Sequence, residues 1–276
     1  MSEPSRPTPL PHSPSTDGRL STPFAGEGGK DPMRAAHANM RQAAVKRFYR
    51  AVEVREVEGG RHALTLDGRV ARTPGRNALS ATSRALMARV KAEWERQRET
   101  IDPADMPLTR LLNSAIDGVA RTMAETRAEI LRYAGSDLLC YRADAPETLV
   151  ARQADAFDAT LCWAAERLGA RLAVAAGVVH VGQPPESIEA LRRALEAFDD
   201  PVALAGLSAM TNLTGSALLA LAMAHGFLEP QEAWRAAHVD EDFQNERWGV
   251  DEEARVRREA RWREMEAAAV VFELLR

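Results

Sequence analysis

The pattern of apolar and polar positions changes along the chain, from the alternation of strands to the spacing of helices. Val52–Arg55 alternates apolar and charged residues, which is the period of a half-buried strand. His62–Leu66 reads as a second strand, and Asp67-Gly68 after it is a two-residue turn typical of β-hairpins. Arg69–Thr73 predicts a third strand before a proline. The sequence therefore predicts a small antiparallel meander over roughly residues 47–74.

Apolar residues then recur every three or four positions, as they do on the buried side of a helix. Leu86, Val90 and Trp94 predict one helix over residues 83–98. Further helices are predicted over residues 122–141, over the Ala-rich stretch 203–225, and from residue 252 to the end. In the last of them, Val256, Met265, Phe272 and Leu275 are predicted to face inward.

Together these patterns predict an α+β fold, in which a small antiparallel β-rich domain precedes a larger, mainly α-helical domain. Residues 1–34 are rich in Pro, Ser, Thr and Gly. Such a segment has too little apolar surface to offset the entropy of ordering, so it is predicted to be a disordered tail. The β-rich domain with its flanking helices is placed at residues 35–145. The helical domain is placed at residues 146–276, from Pro146 onward.

Composition argues against several classes of protein, among them nucleic-acid-binding, membrane-spanning and secreted proteins. The net charge of −4 lacks the basic excess of a general nucleic-acid-binding protein. The most apolar stretch, residues 204–228, is interrupted by polar residues and predicts a buried helix, not a membrane span. No apolar core follows a basic start, so no secretory signal peptide is predicted. Cys140 and Cys162 match neither a disulfide framework nor a zinc motif.

Candidate catalytic chemistry is sparse. His238 stands close to Asp240, Glu241 and Asp242, which could form a metal site, but a solvated helix face explains the same residues with fewer assumptions. Ser216 lacks the flanking glycines of a nucleophile elbow. No catalytic residue, metal ligand or cofactor is therefore predicted. An uncharacterised hydrolase-like enzyme using Asp or His stays open as an alternative, and so does a helical scaffold that binds a different protein partner.

The C-terminal part mixes aromatic side chains with charged ones. Phe243, Trp248 and Trp262 lie among carboxylates that are followed by arginines. Aromatic and arginine side chains are the residues from which interaction hot spots are built. The same aromatics could equally belong to the core, so the residues alone leave both interpretations open.

The chain resembles a known family in an ordered series of short motifs. The series runs Lys46-Arg47-Phe48-Tyr49, Leu66-Asp67-Gly68-Arg69 with Thr73-Pro74, Glu93-Trp94 with Gln97, Met106-Pro107-Leu108-Thr109, Ala115-Ile116-Asp117, Asp137 between Tyr133 and Tyr141, Gln153 with Trp163, Gly215-Ser216, and Gln244 with Trp248-Gly249. In order and spacing these motifs resemble the assembly chaperone for the alpha subunit of the ATP synthase catalytic head, also called assembly factor two. The resemblance extends from about residue 46 to the C-terminus.

The resemblance implies a chaperone and not an enzyme. Such a protein binds the unassembled alpha subunit, keeps it from aggregating and passes it to the beta subunit. It implies a small β-rich domain followed by a helical one. It also implies a functional carboxylate just before the glutamine-to-tryptophan motif. The expected partner-binding residues are therefore Asp240, Glu241, Asp242, Gln244 and Trp248.

The remaining expectations concern state and location. The family occurs in mitochondria and in α-proteobacteria, and residues 1–34 lack the amphipathic stripe of a transit peptide. A bacterial cytoplasm is therefore expected, or the mitochondrial matrix if the source is a eukaryote. We expect a monomer when free, without a cofactor, that binds no nucleic acid and does not insert into membranes.

Overall fold

The structure, a computed structural model, describes residues 45–177 and 179–275. The tail predicted at residues 1–34 therefore lies outside the described residues. The strands are β1 Val45–Lys46, β2 Val52–Val57, β3 Arg61–Leu66, β4 Arg69–Val70, β5 Ser80–Ala81, β6 Thr100–Ile101, β7 Tyr141–Arg142 and β8 Ala175–Ala176. All but the last two lie in the first third of the described chain; β2, β3 and β4 are the three strands that the apolar pattern predicts, and the others in that third were not predicted.

The main sheet is antiparallel, with β3 at its centre. β2 lies along one edge of β3, and β4 and β5 pair with successive parts of the other edge. The β3–β4 turn has the positive φ angles of a tight hairpin, 47° at Asp67 and 80° at Gly68. The Asp67 carboxylate accepts the N–H groups of Arg50 and Ala51 at 3.0 and 2.8 Å. The predicted meander is confirmed.

Helices make up most of the rest. They are α1 Arg84–Arg96, α2 Pro107–Asp117, α3 Met123–Gly135, α4 Glu147–Trp163, α5 Pro185–Glu196, α6 Pro201–Thr214, α7 Ala217–Ala224, α8 Pro230–Ala237, α9 Val239–Trp248 and α10 Glu252–Leu275. The α+β prediction is confirmed. No helix within the described ranges is long and apolar enough to cross a bilayer.

Two predicted helices are interrupted. The helix predicted over residues 203–225 is two helices, because Gly215 adopts a left-handed φ of 70° and ends α6. The next residue, Ser216, caps α7 by accepting the N–H of Leu219 at 3.0 Å. The helix predicted over residues 122–141 ends at Gly135, and a separate short turn begins at Asp137. These two interruptions bring Asp137 and Ser216 into contact, as described below.

The buried apolar side chains form one continuous core from the sheet to the last helix. Leu64 of β3 and Leu221 of α7 are both fully buried members of it. The first and last helices are also joined, because the Ser83 hydroxyl donates to the Leu274 carbonyl at 2.7 Å. This core crosses the boundary predicted between residues 145 and 146, and the domain division itself stays a prediction.

Candidate partner-binding site

The motif residues of the first helices lie in the interior. Glu93 of α1 is only 2% exposed, and its carboxylate accepts the N–H groups of Leu108 and Thr109 at 2.8 Å each. The Thr109 hydroxyl donates to it at 2.7 Å. Burial raises the pKa of Glu93, and the hydrogen bonds from Thr109 and Leu108 oppose that rise. N–H groups at the start of a helix lack partners within the helix, so Glu93 satisfies the start of α2 and joins it to α1.

Neighbouring motif residues hold the N-terminal segment against α1. The Tyr49 hydroxyl donates to the carbonyl of Trp94 at 2.8 Å, and the Trp94 indole N–H donates to the Thr109 hydroxyl at 3.1 Å. Arg47 donates to the Gln97 carbonyl at 2.5 Å. The side chains of this group therefore interlock three parts of the chain.

Asp117 organises the turn after the meander. It accepts hydrogen bonds from the Thr73 hydroxyl, the Gly75 N–H and the Asn77 amide at 2.7 to 2.8 Å. Burial raises the pKa of Asp117, but the bonds from Thr73, Asn77 and Gly75 outweigh it and leave the pKa lowered. A Cβ atom at Gly75 would lie 2.6 Å from the carboxyl group of Asp117. Only glycine therefore fits at position 75 without a shift of the carboxylate.

Asp137 occupies a comparable place in the helical part. It is fully buried and accepts the Ser216 hydroxyl at 2.7 Å and the N–H groups of Leu218 and Leu139 at 3.1 Å. Burial raises the pKa of Asp137 to about 6, and the hydrogen bond from Ser216 is the largest opposing effect. The Asp137 carboxylate therefore fastens the α3 end to the start of α7. Ser216 has a structural role in this contact.

The five predicted partner-binding residues all lie on α9. Asp240 points toward α4, where it accepts the side-chain amide of Gln153 at 2.7 Å. Gln153 is buried, and its own oxygen accepts the N–H of Ala143 at 2.7 Å. Asp240 therefore fastens α9 to the helical body through a buried glutamine.

Two more acidic residues of α9 are paired with arginines. Asp242 accepts two N–H groups of Arg258 on α10. Glu246 forms an ion pair with Arg152 of α4 at 2.8 Å, and the hydrogen bond from Arg152 lowers the pKa of Glu246. Phe243 lies between two cations, with the Arg152 guanidinium 5.3 Å from its ring centroid and that of Arg247 at 4.1 Å. These contacts brace α9 from both sides.

The remaining predicted residues differ in exposure. Glu241 is half-buried; none of the hydrogen bonds or ion pairs found among the described residues involves its carboxylate, which acts on Arg258 and His238 electrostatically at longer range. Gln244 is exposed, and Trp248 is 86% exposed. Beyond the helix end, Val250 is also exposed. The prediction that Val256 faces inward was wrong, since it is 52% exposed near the start of α10.

The His238 side chain is buried, whereas the sequence predicted a solvated helix face. The interpretation of a solvated helix face was wrong for this residue, because His238 is buried with its ring 4.0 Å from that of Trp234. Its Nδ1 lies 2.8 Å from the Trp234 carbonyl, and burial lowers the pKa of His238. No group of three or more His, Cys, Asp or Glu residues in the described ranges could hold a metal ion.

Comparisons with known proteins point to one chaperone family. A family model described as ATP12 chaperone protein matches residues 46–165. Atu1473, a candidate chaperone from Agrobacterium tumefaciens, is 48% identical over 90% of this chain and 92% of its own, with a TM-score of 0.82. Atp12 from Paracoccus denitrificans is 40% identical over 84% of this chain and 99% of its own, with a TM-score of 0.78. The chain belongs to the ATP12 chaperone family.

The Paracoccus Atp12 has also been solved as an aspartate-to-lysine variant. That structure is 39% identical to this chain over 84% of it and 98% of the variant chain, with a TM-score of 0.78. Membership of the ATP12 family confirms the resemblance drawn from the ordered motifs. Several of those motifs lie in the buried contacts described above, and the exposed motif residues include Phe48 near the start of the described chain and Gln244 and Trp248 on α9.

Sequence reasoning missed the partners that brace α9 in this ATP12-family chain. Arg152 lies 94 residues before Glu246, and Arg258 lies 16 residues after Asp242. Neither separation matches the three- or four-residue spacing of ion pairs within one helix. Gln153 did belong to a motif of the resemblance, but its contact with Asp240 required the packing of α4 on α9.

Proposed function

We propose that this protein is an ATP synthase assembly chaperone that binds the unassembled alpha subunit of the catalytic head. Membership of the ATP12 chaperone family supports the proposal. The surface that supports it is the outward side of α9, where Gln244 and Trp248 are exposed and Glu241 is half-buried, on a helix fixed to the protein body. A braced helix that presents an exposed tryptophan and, on the same side, a carboxylate without an ion pair in the described ranges suits protein recognition.

Within this site the three adjacent carboxylates have different roles. Three consecutive helical residues point over an arc of about 200°, so they cannot all meet one partner. Asp240 already binds Gln153, and Asp242 already binds Arg258. Glu241 is the carboxylate without such a contact in the described ranges. We therefore assign Glu241, Gln244 and Trp248 to partner contact, and Asp240 and Asp242 to the positioning of α9.

The chemistry of the task fits a non-enzymatic protein. An unassembled subunit exposes apolar surface that its neighbours later cover, and such surface favours aggregation. A chaperone that must release its client needs an interface of moderate size and partly polar character. Replacement by the beta subunit at an overlapping surface would release the alpha subunit without nucleotide hydrolysis by this chain.

Capture of newly made subunits tests the proposal. The full chain would carry an affinity tag in its native cell, and the captured proteins would be identified by mass spectrometry shortly after a labelling pulse. We expect the alpha subunit to be enriched over beta, and depletion of the chaperone to reduce assembled catalytic heads. Enrichment of beta alone would contradict the alpha assignment. Capture of no ATP synthase subunit would contradict the whole proposal and favour a scaffold for a different partner.

A further inference from the structure

We propose that the turn between α9 and α10 is an apolar anchor that inserts into a basic-rimmed apolar pocket of the client. The anchor consists of Trp248, Val250 and Val256, and is called the α9–α10 tip below. This inference rests on the proposed function and names the part of the surface that supplies most of the affinity. It also assigns a role to Val250 and Val256, which lie outside the motif that ends at Trp248.

Exposure singles out this tip. Nine large apolar residues in the described ranges are exposed, and three of them fall between positions 248 and 256. Trp248 is the most exposed of the nine at 86%, and Val250 and Val256 are 61% and 52% exposed. Tryptophan is enriched among the few residues that dominate binding energy at protein interfaces. A cluster of exposed apolar side chains on an otherwise charged surface marks an interaction site.

The tip is held in position before a partner arrives. Glu246, two residues before Trp248, is paired with Arg152 of α4. Gly249 ends α9 directly after Trp248, and its N–H donates to the Asn245 carbonyl at 3.0 Å. Its φ of 88° lies in the region that favours glycine, so the chain can turn away from the helix axis there. Because the backbone that carries Trp248 is already ordered, less conformational entropy is lost on binding.

The start of α10 defines the other side of the tip. The Asp251 carboxylate accepts the N–H of Glu253 at 3.0 Å, and the Asp251 carbonyl accepts the N–H of Arg255 at 2.9 Å. Arg258 then reaches back to Asp242 of α9. Hydrogen bonds and ion pairs therefore hold both helices that flank the turn, and Val256 lies in the first turns of α10.

The charges around the tip indicate what kind of partner fits. Residues 239–259 contain eight carboxylates and four arginines. The arginines of α10 in this range are already paired within the chain, since Arg255, Arg257 and Arg258 each contact a carboxylate. Among the ion pairs of the described residues none involves Asp251, and Glu241 acts on Arg258 and His238 only at longer range. A surplus of negative charge therefore borders the apolar tip, and a pocket rimmed by Lys or Arg complements it.

The same charge argues against a second copy of this chain as the occupant. In a symmetric dimer each tip would face the same surface patch on its partner. The carboxylate surplus would then oppose itself, and like-charge juxtaposition at an interface is unfavourable. A client of opposite charge at this site is the occupant that the observations favour.

Side-chain replacement at the tip tests the inference. The full-length chain would be prepared as wild type and as Trp248→Ala, Trp248→Phe, Val250→Ser and Val256→Ser. The matched control is Val179→Ser, at an exposed valine outside the tip. The Kd for purified unassembled alpha subunit would be measured for each, together with thermal unfolding.

We expect Trp248→Ala to raise the Kd by more than about tenfold, as truncation of an interface tryptophan does. Trp248→Phe keeps an aromatic ring and should stay within about threefold of wild type, and each valine variant should lose about threefold or more. The control should bind as wild type, and all variants should unfold at the wild-type temperature because the replaced side chains are exposed. The Kd should also rise with salt concentration, since the pocket rim is basic.

The contrary outcomes are distinguishable. If wild type binds the alpha subunit and Trp248→Ala binds equally well, the anchor is overturned while the proposed function stands. If sedimentation shows a wild-type dimer that Trp248→Ala dissociates, the occupant is a second copy and the inference is overturned. If wild type binds beta and Trp248→Ala abolishes that binding, the anchor stands and the alpha assignment falls. If wild type binds no ATP synthase subunit, the proposed function and the anchor's client are both overturned.

Discussion

Two groups of carboxylates in this molecule use the same side chain in opposite ways. Glu93, Asp117 and Asp137 each accept three or more hydrogen bonds from separate parts of the chain. On α9, Asp242 binds one arginine at the surface, and Glu241 has no such contact in the described ranges. The first group holds the fold together, and the second is free to position or contact a partner.

The two groups differ in what happens to their hydrogen-bond donors when the carboxylate is removed. A buried carboxylate that satisfies the N–H groups at a helix start leaves several donors without water or protein partners. An exposed one leaves groups that water can solvate, so its loss costs little stability. Motifs that identify the ATP12 family are concentrated in the first group. The motifs by which the family is identified are therefore mainly residues that hold the fold together. Fewer of them lie on the proposed partner surface of α9.

The largest effect is expected at Trp94, which is half-buried and packs against the core from α1. Its ring centroid lies 5.4 Å from that of Tyr49, and its indole N–H donates to Thr109. Trp94→Arg places an unpaired charge there and should lower the free energy of unfolding by about 3–5 kcal/mol. Denaturant unfolding measures it, with Trp94→Phe as a milder control. Cooperative unfolding of the arginine variant at the wild-type midpoint would contradict a structural role.

The second-largest loss of stability is expected on substitution of Asp137. Asp137→Ala removes the acceptor shared by Ser216, Leu218 and Leu139, and should cost about 3 kcal/mol of stability. The control is Ser216→Ala, which removes one donor and leaves the carboxylate in place, so it should cost less. Equal unfolding midpoints for wild type and Asp137→Ala would show that this contact does not hold α3 and α7 together.

The titration of Asp137 should give a smaller, pH-dependent effect. Burial raises its pKa to about 6 in the folded chain, above the ordinary value of 3.8. The folded state then binds more protons between those values, so this group favours folding most below about pH 4, and its contribution falls as pH rises through 6. Other groups titrate in the same range, so Asp137→Asn serves as the reference. The difference in unfolding free energy, wild type minus Asp137→Asn, should decrease from pH 4.5 to about 7. A difference that is constant with pH would show that Asp137 does not titrate in this way.

The smallest stability effects are expected on α9. Asp242→Ala breaks a surface ion pair and should cost less than about 1 kcal/mol, and Glu241→Lys should leave stability unchanged. Capture of the alpha subunit should nevertheless fall for Glu241→Lys, because a cation would face the basic partner surface. The matched control is Glu129→Lys on the exposed side of α3. Loss of folding in the α9 variants, or equal loss of capture in the control, would remove the contrast between the two groups.

The sequence by itself determined the elements whose signal is local. Alternation at Val52–Arg55 and the Asp67-Gly68 turn predicted the meander, and the spacing of Leu86 and Val90 predicted α1. Both patterns report which side of a strand or helix is apolar, and that property depends on near neighbours along the chain. The ordered motifs also determined the family, since their spacing reflects contacts that the fold requires.

The tertiary structure decided the rest. Asp240 acquires its role from Gln153, 87 residues away. Ser216 and Asp137, 79 residues apart, join the end of α3 to the start of α7. Periodicity shows which residues could be buried, but burial and pairing depend on which other element packs there. That is a property of long-range contacts, which a local pattern does not contain.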